Sequence, residues 1–196
     1  MFQIRIHGRG GQGVVTGAEM LSIAAFEQGR HAQAFPSFGS ERTGAPVVAF
    51  CRIAEREIRL REPVMAPDAL IVQDPTLLHQ VDVFQGLQPD GYVLINSTRS
   101  FDELGVGEFA RRFRRERLAN VPASEIAQRH LGRPLPNAAL LGGFAAISGL
   151  ITLEAVGKAI RDKFSGRVAE GNVAAATEAF EYVRKELREL NHAAAD

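Results

Sequence analysis

A glycine-rich turn between a short strand and a helix, near the start of the chain, is the feature that most constrains the fold. Residues 2–7 alternate between apolar and polar side chains, which predicts a strand, and they lead directly into Gly8-Arg9-Gly10-Gly11-Gln12-Gly13. Residues 14–28 follow with the apolar content of a helix covered on more than one side. Glycines permit close backbone approach, and the first amides of a helix lack intrahelical partners. The arrangement therefore predicts a cradle for a phosphate group.

Two known sequence patterns narrow the ligand of this turn. A Walker A loop needs Lys and then Ser or Thr after its last glycine, but Val14 and Val15 follow Gly13, which excludes that class. A dinucleotide site needs an acidic residue about 20 positions further on, at the tip of the second strand. The first acid beyond that tip is Glu41, inside a loop. NAD is therefore disfavoured, and a tight turn that binds nothing remains an alternative.

The second candidate segment is the loop from Pro36 to Pro46, which is rich in Pro, Gly and Ser and has no regular period. Its central part, Ser37–Gly44, contains Glu41 and Arg42. In a doubly wound sheet the loops after the first two strands lie side by side at the carboxyl edge, where ligands bind. We expect a polar surface that faces a ligand or a neighbouring chain. A solvated turn with an incidental ion pair is the alternative.

The rest of the pattern predicts one α/β domain over residues 1–196: a three-layer α/β/α arrangement with a mixed, mostly parallel sheet and a helical carboxyl-terminal part. Further strands are expected at 31–35, 46–53, 57–61, 69–73, 92–96 and 118–121, with 46–53 and 57–61 forming a hairpin. Helices are expected at about 124–131, 138–150, 153–164 and 172–190.

Composition excludes several classes of protein. The 23 basic and 23 acidic residues balance, which argues against a general binder of nucleic acid or anionic membranes. One cysteine excludes a disulfide framework and, within this chain, a four-thiolate cluster. The longest apolar run, Ala138–Ile151, is shorter than the roughly 20 residues that cross a bilayer. We expect a soluble, cytoplasmic protein with no nucleic-acid or membrane partner.

Several single residues have structural interpretations. Cys51 lies in an apolar strand and is expected to be an inert core residue, and His7 a packing or hydrogen-bonding histidine. Asp74, Asn96 and Asn137 precede helix or turn starts, where capping explains them.

Two longer patterns have two interpretations each. The arginine run 111–117 is expected to be a solvated helix face, with docking to an acidic partner subunit as the alternative. The last helix carries an apolar seam at residues 173, 176, 180, 183, 187 and 190. Packing on its own domain is expected there, with a subunit interface as the alternative.

The ordered motifs resemble one family along nearly the whole chain. They are Gly10-Gly11-Gln12-Gly13, Pro36-Ser37-Phe38-Gly39-Ser40-Glu41-Arg42-Thr43-Gly44, Asp74-Pro75-Thr76-Leu77, Leu94-Ile95-Asn96-Ser97 and Asn137-Ala138-Ala139-Leu140-Leu141-Gly142. The chain is similar to the gamma subunit, or the corresponding fused domain, of 2-oxoacid:acceptor oxidoreductases such as pyruvate:ferredoxin oxidoreductase.

The resemblance implies a subunit that is inactive alone. In that family thiamine diphosphate with magnesium decarboxylates the 2-oxo acid, electrons pass to [4Fe–4S] clusters, and coenzyme A usually takes the acyl group. Thiamine and clusters belong to partner subunits, ferredoxin or NAD accepts electrons through other chains, and the gamma part helps form the coenzyme A side of the site.

The resemblance also implies the site residues of this chain, and it names no catalytic residue or metal ligand among them. Those expected at a cofactor or interface contact are Gly8, Arg9, Gly10, Gly11, Gln12, Gly13, Ser37, Phe38, Gly39, Glu41, Arg42 and Gly44. Arg9 and Arg42 would meet phosphate charge, and Gln12 and Glu41 would orient neighbouring groups. Two alternatives remain: a free-standing Rossmann-like oxidoreductase that binds NAD(P) or flavin, and a structural adaptor that binds no small molecule.

Overall fold

Six strands form one mixed sheet in a computed structural model that describes residues 1–37 and 42–194. The strands are β1 (Phe2–Arg9), β2 (His31–Pro36), β3 (Pro46–Ala54), β4 (Ala69–Val72), β5 (Tyr92–Asn96) and β6 (Leu118–Val121). Their order is β2-β3-β1-β4-β5-β6. Strand β3 runs antiparallel to both β1 and β2, whereas β1, β4, β5 and β6 are parallel. The predicted mixed, mostly parallel sheet is confirmed.

The helices of the described residues are concentrated in the second half of the chain, as predicted. They are α1 (Val14–Glu27), α2 (Gly107–Ala110), α3 (Ala123–Leu131), α4 (Asn137–Ser148), α5 (Leu153–Lys163) and α6 (Gly166–Ala193), with 3₁₀ turns at Pro75–His79 and Arg115–Arg117. Within the residues that the structure describes, no helix is both long and apolar enough to cross a membrane.

The two faces of the sheet are covered differently. On one face, α1 and α3–α6 pack on residues such as Ile4, Ile71 and Leu94 in the main core. On the other face, a smaller core that includes Val72, Ile95 and the segments at 77–87 and 101–113 covers β4, β5 and β6. The sheet thus lies between two layers, and the layer on the second face consists of short helical turns.

The expected hairpin between 46–53 and 57–61 is wrong. Strand β3 is already paired on both sides, by β1 and β2, so no edge is left for residues 57–61. The segment bonds instead to side chains of the strands: the Gln33 amide donates to the Leu60 carbonyl at 2.7 Å, and just beyond it the Arg52 guanidinium donates to the Glu62 carbonyl at 2.6 Å. The Val64 carbonyl likewise accepts a hydrogen bond from Arg5 Nη1, at 3.3 Å.

Two interpretations of the core are confirmed. Cys51 is fully buried, and burial raises the pKa of its thiol to about 12. His7 is buried and accepts a hydrogen bond from Arg5 Nε at 3.0 Å. In α6, Ala176 and Val183 of the predicted seam are buried within the domain, against α4 and its neighbours.

Candidate functional site

The candidate site lies at the edge of the sheet where β1, β4, β5 and β6 end. The connection after β1 leads through α1 towards β2, whereas the chain after β4 continues in the opposite direction to β5. The gap between the loops after β1 and β4 is therefore the topological switch point, where open α/β sheets bind ligands. The glycine-rich turn stands directly at this point.

The turn has the predicted strand–turn–helix geometry. Gly13 precedes α1 with φ +71°, a left-handed conformation that a residue with a side chain rarely adopts. The first intrahelical bond of α1 runs from the Gly17 amide to the Gly13 carbonyl at 2.9 Å, so the amides of residues 14–16 have no helical acceptor. The first turn of α1 contains no acidic residue, and Gly13 offers no side-chain cap. These amides are available to an anion.

A cavity of about 250 Å³ opens over these amides. It is lined by Arg9, Gly10, Gly11, Gly13, Val14, Val15, Thr16 and Val47. The main-chain amides of α1 and the hydroxyl-bearing Thr16 make one end of it polar. The cavity therefore combines a concave shape with the positive end of a helix dipole.

The structure brings the second candidate segment against the turn. The Gly10 amide donates to the Ala45 carbonyl at 2.9 Å, and the Gly44 amide donates to the Gly10 carbonyl at 3.1 Å. A Cβ at Gly10 would lie closer than 3.0 Å to the Arg42 carbonyl oxygen, so only glycine permits this approach. The Arg42 side chain is exposed. Of the other predicted residues, Ser37 follows β2, and Phe38, Gly39 and Glu41 lie outside the described residues.

Arg9 crosslinks three parts of the chain. Its Nε donates to Asp74 Oδ2 at 3.1 Å, and its Nη1 to the Gly44 carbonyl at 3.0 Å. Its Nη2 donates to Thr76 Oγ1 at 2.8 Å and to Gln80 Oε1 at 2.7 Å. Four donor contacts are thus made inside the chain, so this guanidinium holds the turn in place.

Asp74 is the acceptor at the centre of this network. Besides Arg9 it accepts from Gln12 Nε2 at 2.9 Å, and its Oδ1 accepts from the Thr76 amide at 3.0 Å and the Thr76 hydroxyl at 2.6 Å. Burial alone would raise the pKa of this carboxyl, but the bonds from Thr76 and Gln12 and the Arg9 charge lower it below its usual value. The predicted cap at Asp74 is confirmed, and its role towards the turn was missed.

Gln12 orients the turn from within. Its Oε1 accepts from the Arg9 amide at 2.8 Å, while its Nε2 reaches Asp74. Its own carbonyl accepts from Gln73 Nε2 at 2.9 Å. The predicted orienting role of Gln12 thus has a structural counterpart, although the groups that it orients belong to this chain.

Comparisons with known proteins agree with this geometry. The family model for pyruvate ferredoxin/flavodoxin oxidoreductase matches residues 3–182. The chain belongs to this family. It is 50% identical over 181 residues to the common gamma subunit of the pyruvate/ketoisovalerate oxidoreductases of Pyrococcus abyssi, covering 92% of this chain and 96% of that one.

Solved structures give the same result. The PORC subunit of the Thermotoga maritima pyruvate oxidoreductase is 35% identical, with a TM-score of 0.77 over 92% of this chain and 95% of that one. A 2-oxoglutarate:ferredoxin oxidoreductase of Magnetococcus marinus shares the fold alone, at 17% identity and a TM-score of 0.68, over 94% of this chain and 31% of that longer one. The resemblance to gamma subunits of this oxidoreductase family is confirmed.

Two asparagines support the site in this member of the pyruvate ferredoxin/flavodoxin oxidoreductase family. Asn137 is the first residue of α4 and Pro136 occupies the cap position, but the Asn137 Oδ1 still accepts from the Ala138 amide at 2.9 Å. Its Nδ2 also donates to the Gly13 carbonyl at 3.3 Å, a contact that the sequence did not predict. Asn96 accepts from the Ser124 amide at 3.1 Å, so it caps α3 from a neighbouring strand, and it donates to the Gln73 carbonyl at 2.8 Å. In the sequence, the feature that marks both asparagines is their position at the boundary of a helix or strand.

The described residues contain no group of three His, Cys, Asp or Glu side chains arranged to hold a metal ion. Chemically, the site offers main-chain amides and a crosslinked polar network. It can bind and orient an anionic group, and its ionised side chains Arg9 and Asp74 are engaged with each other.

Proposed function

We propose that the chain is the gamma subunit of a thiamine-diphosphate- and iron–sulfur-dependent 2-oxoacid:acceptor oxidoreductase complex. It contributes the coenzyme A side of the site and contacts to the other subunits, and it is inactive alone. The observation that carries the proposal is the juxtaposition of the glycine turn and the 42–45 segment around the first amides of α1.

The residues present fit part of coenzyme A. Its phosphates are anionic, and the cavity offers unpaired helix amides with no carboxylate in the first turn of α1. About 250 Å³ is below the roughly 300–1,000 Å³ of pockets that enclose a whole drug-sized ligand. The cavity therefore holds one anionic group, and surfaces of other subunits contact the rest. When bound, coenzyme A supplies the thiol that takes up the acyl group.

The division of labour follows from the side chains. With a single, buried cysteine the chain has no thiolates for a cluster, and its sequence contains no Gly-Asp-Gly signature for thiamine diphosphate. Clusters, thiamine diphosphate and magnesium therefore belong to the partner subunits. Ferredoxin or NAD takes the electrons through those subunits. The network around Asp74 keeps the turn rigid, so that the amides of residues 14–16 are oriented before the ligand arrives.

Reconstitution tests the proposed function. We expect the purified chain to show no 2-oxoacid-dependent reduction of methyl viologen and to bind neither NAD(P) nor flavin by calorimetry. Co-expression with the thiamine- and cluster-binding subunits of the same organism should restore activity. Turnover by the chain alone, or full activity of an assembly that lacks it, would overturn the proposal.

A charge placed at the start of α1 tests the coenzyme A contact. Thr16 lines the cavity at the third helical position, where a glutamate side chain bonds readily to free amides and favours the helix. Thr16→Glu should therefore fold normally and raise the Michaelis constant for coenzyme A at least about tenfold, a cost of about 1.4 kcal/mol in binding. The neutral Thr16→Gln is the matched control and should change this Michaelis constant much less. Equal Michaelis constants for coenzyme A in the two variants would contradict a phosphate contact here.

A further inference from the structure

A patch of arginines and phenylalanines lies on the face of the sheet opposite the main helices. We call it the arginine–phenylalanine surface; it consists of Phe84, Phe101, Phe109, Phe113, Arg111, Arg112, Arg114 and Arg115, whereas Arg117 lies over the Tyr92 ring on the other face of the sheet. Most of it belongs to the connection between β5 and β6. The expected solvated helix face is wrong in its secondary structure, because only the four residues of α2 and the 3₁₀ turn at 115–117 are helical there.

The phenylalanine rings form a half-buried row. Phe84 and Phe109 stack with ring centroids 4.0 Å apart, and Phe109 and Phe113 follow at 4.8 Å. The Arg112 guanidinium lies over the row, 4.7 Å from the Phe109 centroid, and the Arg115 guanidinium lies 5.9 Å from the centroid of a separate ring, Phe101. Arginine on aromatic rings combines apolar area with charge, and both residue types are enriched at protein interfaces.

The surface carries a small excess of positive charge. Its four arginines face three carboxylates, Asp102, Glu108 and Glu116, which leaves a local charge of +1. Arg111 pairs with Asp102 at 2.8 Å and Arg114 with Glu116 at 2.9 Å, and all four side chains are more than half exposed. Among the described residues no carboxylate lies within 4 Å of the Arg112 guanidinium. Exposed pairs of this kind exchange partners at little cost.

Two concavities flank α2 and give the surface relief. One, of about 530 Å³, is lined by Leu78, His79, Phe84, Gly105, Val106, Glu108, Phe109 and Arg112. The other, of about 500 Å³, is lined by Ser100, Phe101, Asp102, Gly107, Ala110, Arg111, Phe113, Arg115 and Leu118. Each has a phenylalanine wall and an arginine rim. An apolar side chain therefore fits inside each concavity while carboxylates beside it meet the rim.

We propose that the arginine–phenylalanine surface docks an acidic segment of a partner subunit, with apolar side chains in the two concavities. The inference rests on the proposed function, which supplies the partner. Charge complementarity with Arg112, which pairs with no carboxylate among the described residues, selects an acidic occupant, and a chain that forms dimers through this surface without the other subunits would overturn the assignment to a partner subunit. Asp102, Glu108 and Glu116 are carboxylates on the surface that oppose such a partner.

The test measures binding of the full chain to the assembly of the remaining subunits by biolayer interferometry at low and high salt. The double variant Arg111→Glu/Arg112→Glu should bind at least about tenfold more weakly, and its affinity should depend less on salt. Glu108→Lys should bind more tightly. Arg184→Glu is the matched control, since Arg184 lies 5.6 Å from the Phe180 ring on the exposed side of α6, and it should bind like wild type.

The outcomes separate the two proposals. If the wild-type chain does not bind the other subunits at all, the proposed function fails. If it binds and the double variant binds within twofold of it, or if Arg184→Glu is weakened equally, the docking surface is overturned while the proposed function stands. Single-stranded RNA that binds the wild-type chain more tightly than the subunits do would also overturn it. If the double variant unfolds at a lower temperature than wild type, Arg112→Gln, which keeps a polar side chain, replaces it in the binding measurement.

Discussion

Removal of the Asp74 carboxylate should destabilise the protein more than any exposed ion pair does. Asp74 accepts from Arg9, Gln12 and both donors of Thr76, and it joins the loop after β4 to the turn after β1. Its side chain is 14% exposed, and that of Arg9 is 21% exposed. Asp74→Ala leaves the Arg9 and Gln12 donors without their acceptor and also removes the cap of the 3₁₀ turn.

The magnitude follows from this partial burial. Breaking a fully buried pair by removing one partner costs about 3–5 kcal/mol, and an exposed pair contributes about 0–1 kcal/mol. The lost cap alone costs about 0.5–2 kcal/mol. We therefore expect Asp74→Ala to lower the free energy of unfolding by about 2–4 kcal/mol. At about 2–4 °C per kcal/mol for a domain of this size, the melting temperature should fall by about 4–16 °C.

Equilibrium unfolding in urea at pH 7 measures this change. Asp74→Asn keeps an oxygen for the Thr76 donors but presents an amide to Arg9. It should therefore lower the free energy of unfolding by about half as much as Asp74→Ala does. Glu57→Ala is the control, because its pair with Arg59 is 70% and 86% exposed, and it should change stability by less than about 0.5 kcal/mol. The reasoning is refuted if Asp74→Ala costs no more than Glu57→Ala.

Two further predictions concern the core. A Cβ at Gly142 would lie closer than 3.0 Å to the Ala176 carbonyl, so Gly142→Ala should lower the free energy of unfolding in urea by at least about 2 kcal/mol. Gly157→Ala in α5 is the control: its Cβ would have its nearest neighbour at 3.4 Å, so the stability should be unchanged or higher. Burial, with the Arg5 charge, lowers the pKa of His7 to about 3. Between about pH 6.5 and pH 3 only the unfolded state protonates it, so stability should fall by about 1.5 kcal/mol between pH 6.5 and pH 5 from this group. In His7→Gln this part of the pH dependence should vanish; an unchanged dependence would contradict it.

Local patterns predicted most strands and helices because each is encoded within a few residues. Gly29 has φ +77° just after α1, the left-handed conformation that glycine commonly adopts at the end of a helix. The first residue of α6 was placed too late, at 172 instead of 166. Gly171 lies inside that helix, where a Cβ would lie closer than 3.0 Å to Leu131 and the His130 carbonyl. This glycine permits close packing of α3, a reason that no local pattern distinguishes from a helix break.

The candidate site was predictable only in part. The glycines of the turn and the approach of the 42–45 segment follow from glycine spacing and from the position of loops in a doubly wound sheet. The engagement of Arg9 does not, because Asp74 lies 65 residues away and reaches it only through the parallel pairing of β1 with β4. Sequence therefore identifies the backbone cradle, whereas the side chains that fix it depend on which strands become neighbours.

The turn is held from three directions, and this bears on how it binds. Arg9 ties it to Asp74 after β4, Gly10 ties it to Gly44 and Ala45, and Asn137 ties Gly13 to α4. A loop that is already ordered loses little entropy when a ligand arrives, so its amides contribute most of their interaction to affinity. Loosening Asp74 should for this reason raise the Michaelis constant for coenzyme A even at temperatures where the variant is fully folded. A variant that is less stable but has an unchanged constant would mean that the network serves the fold alone.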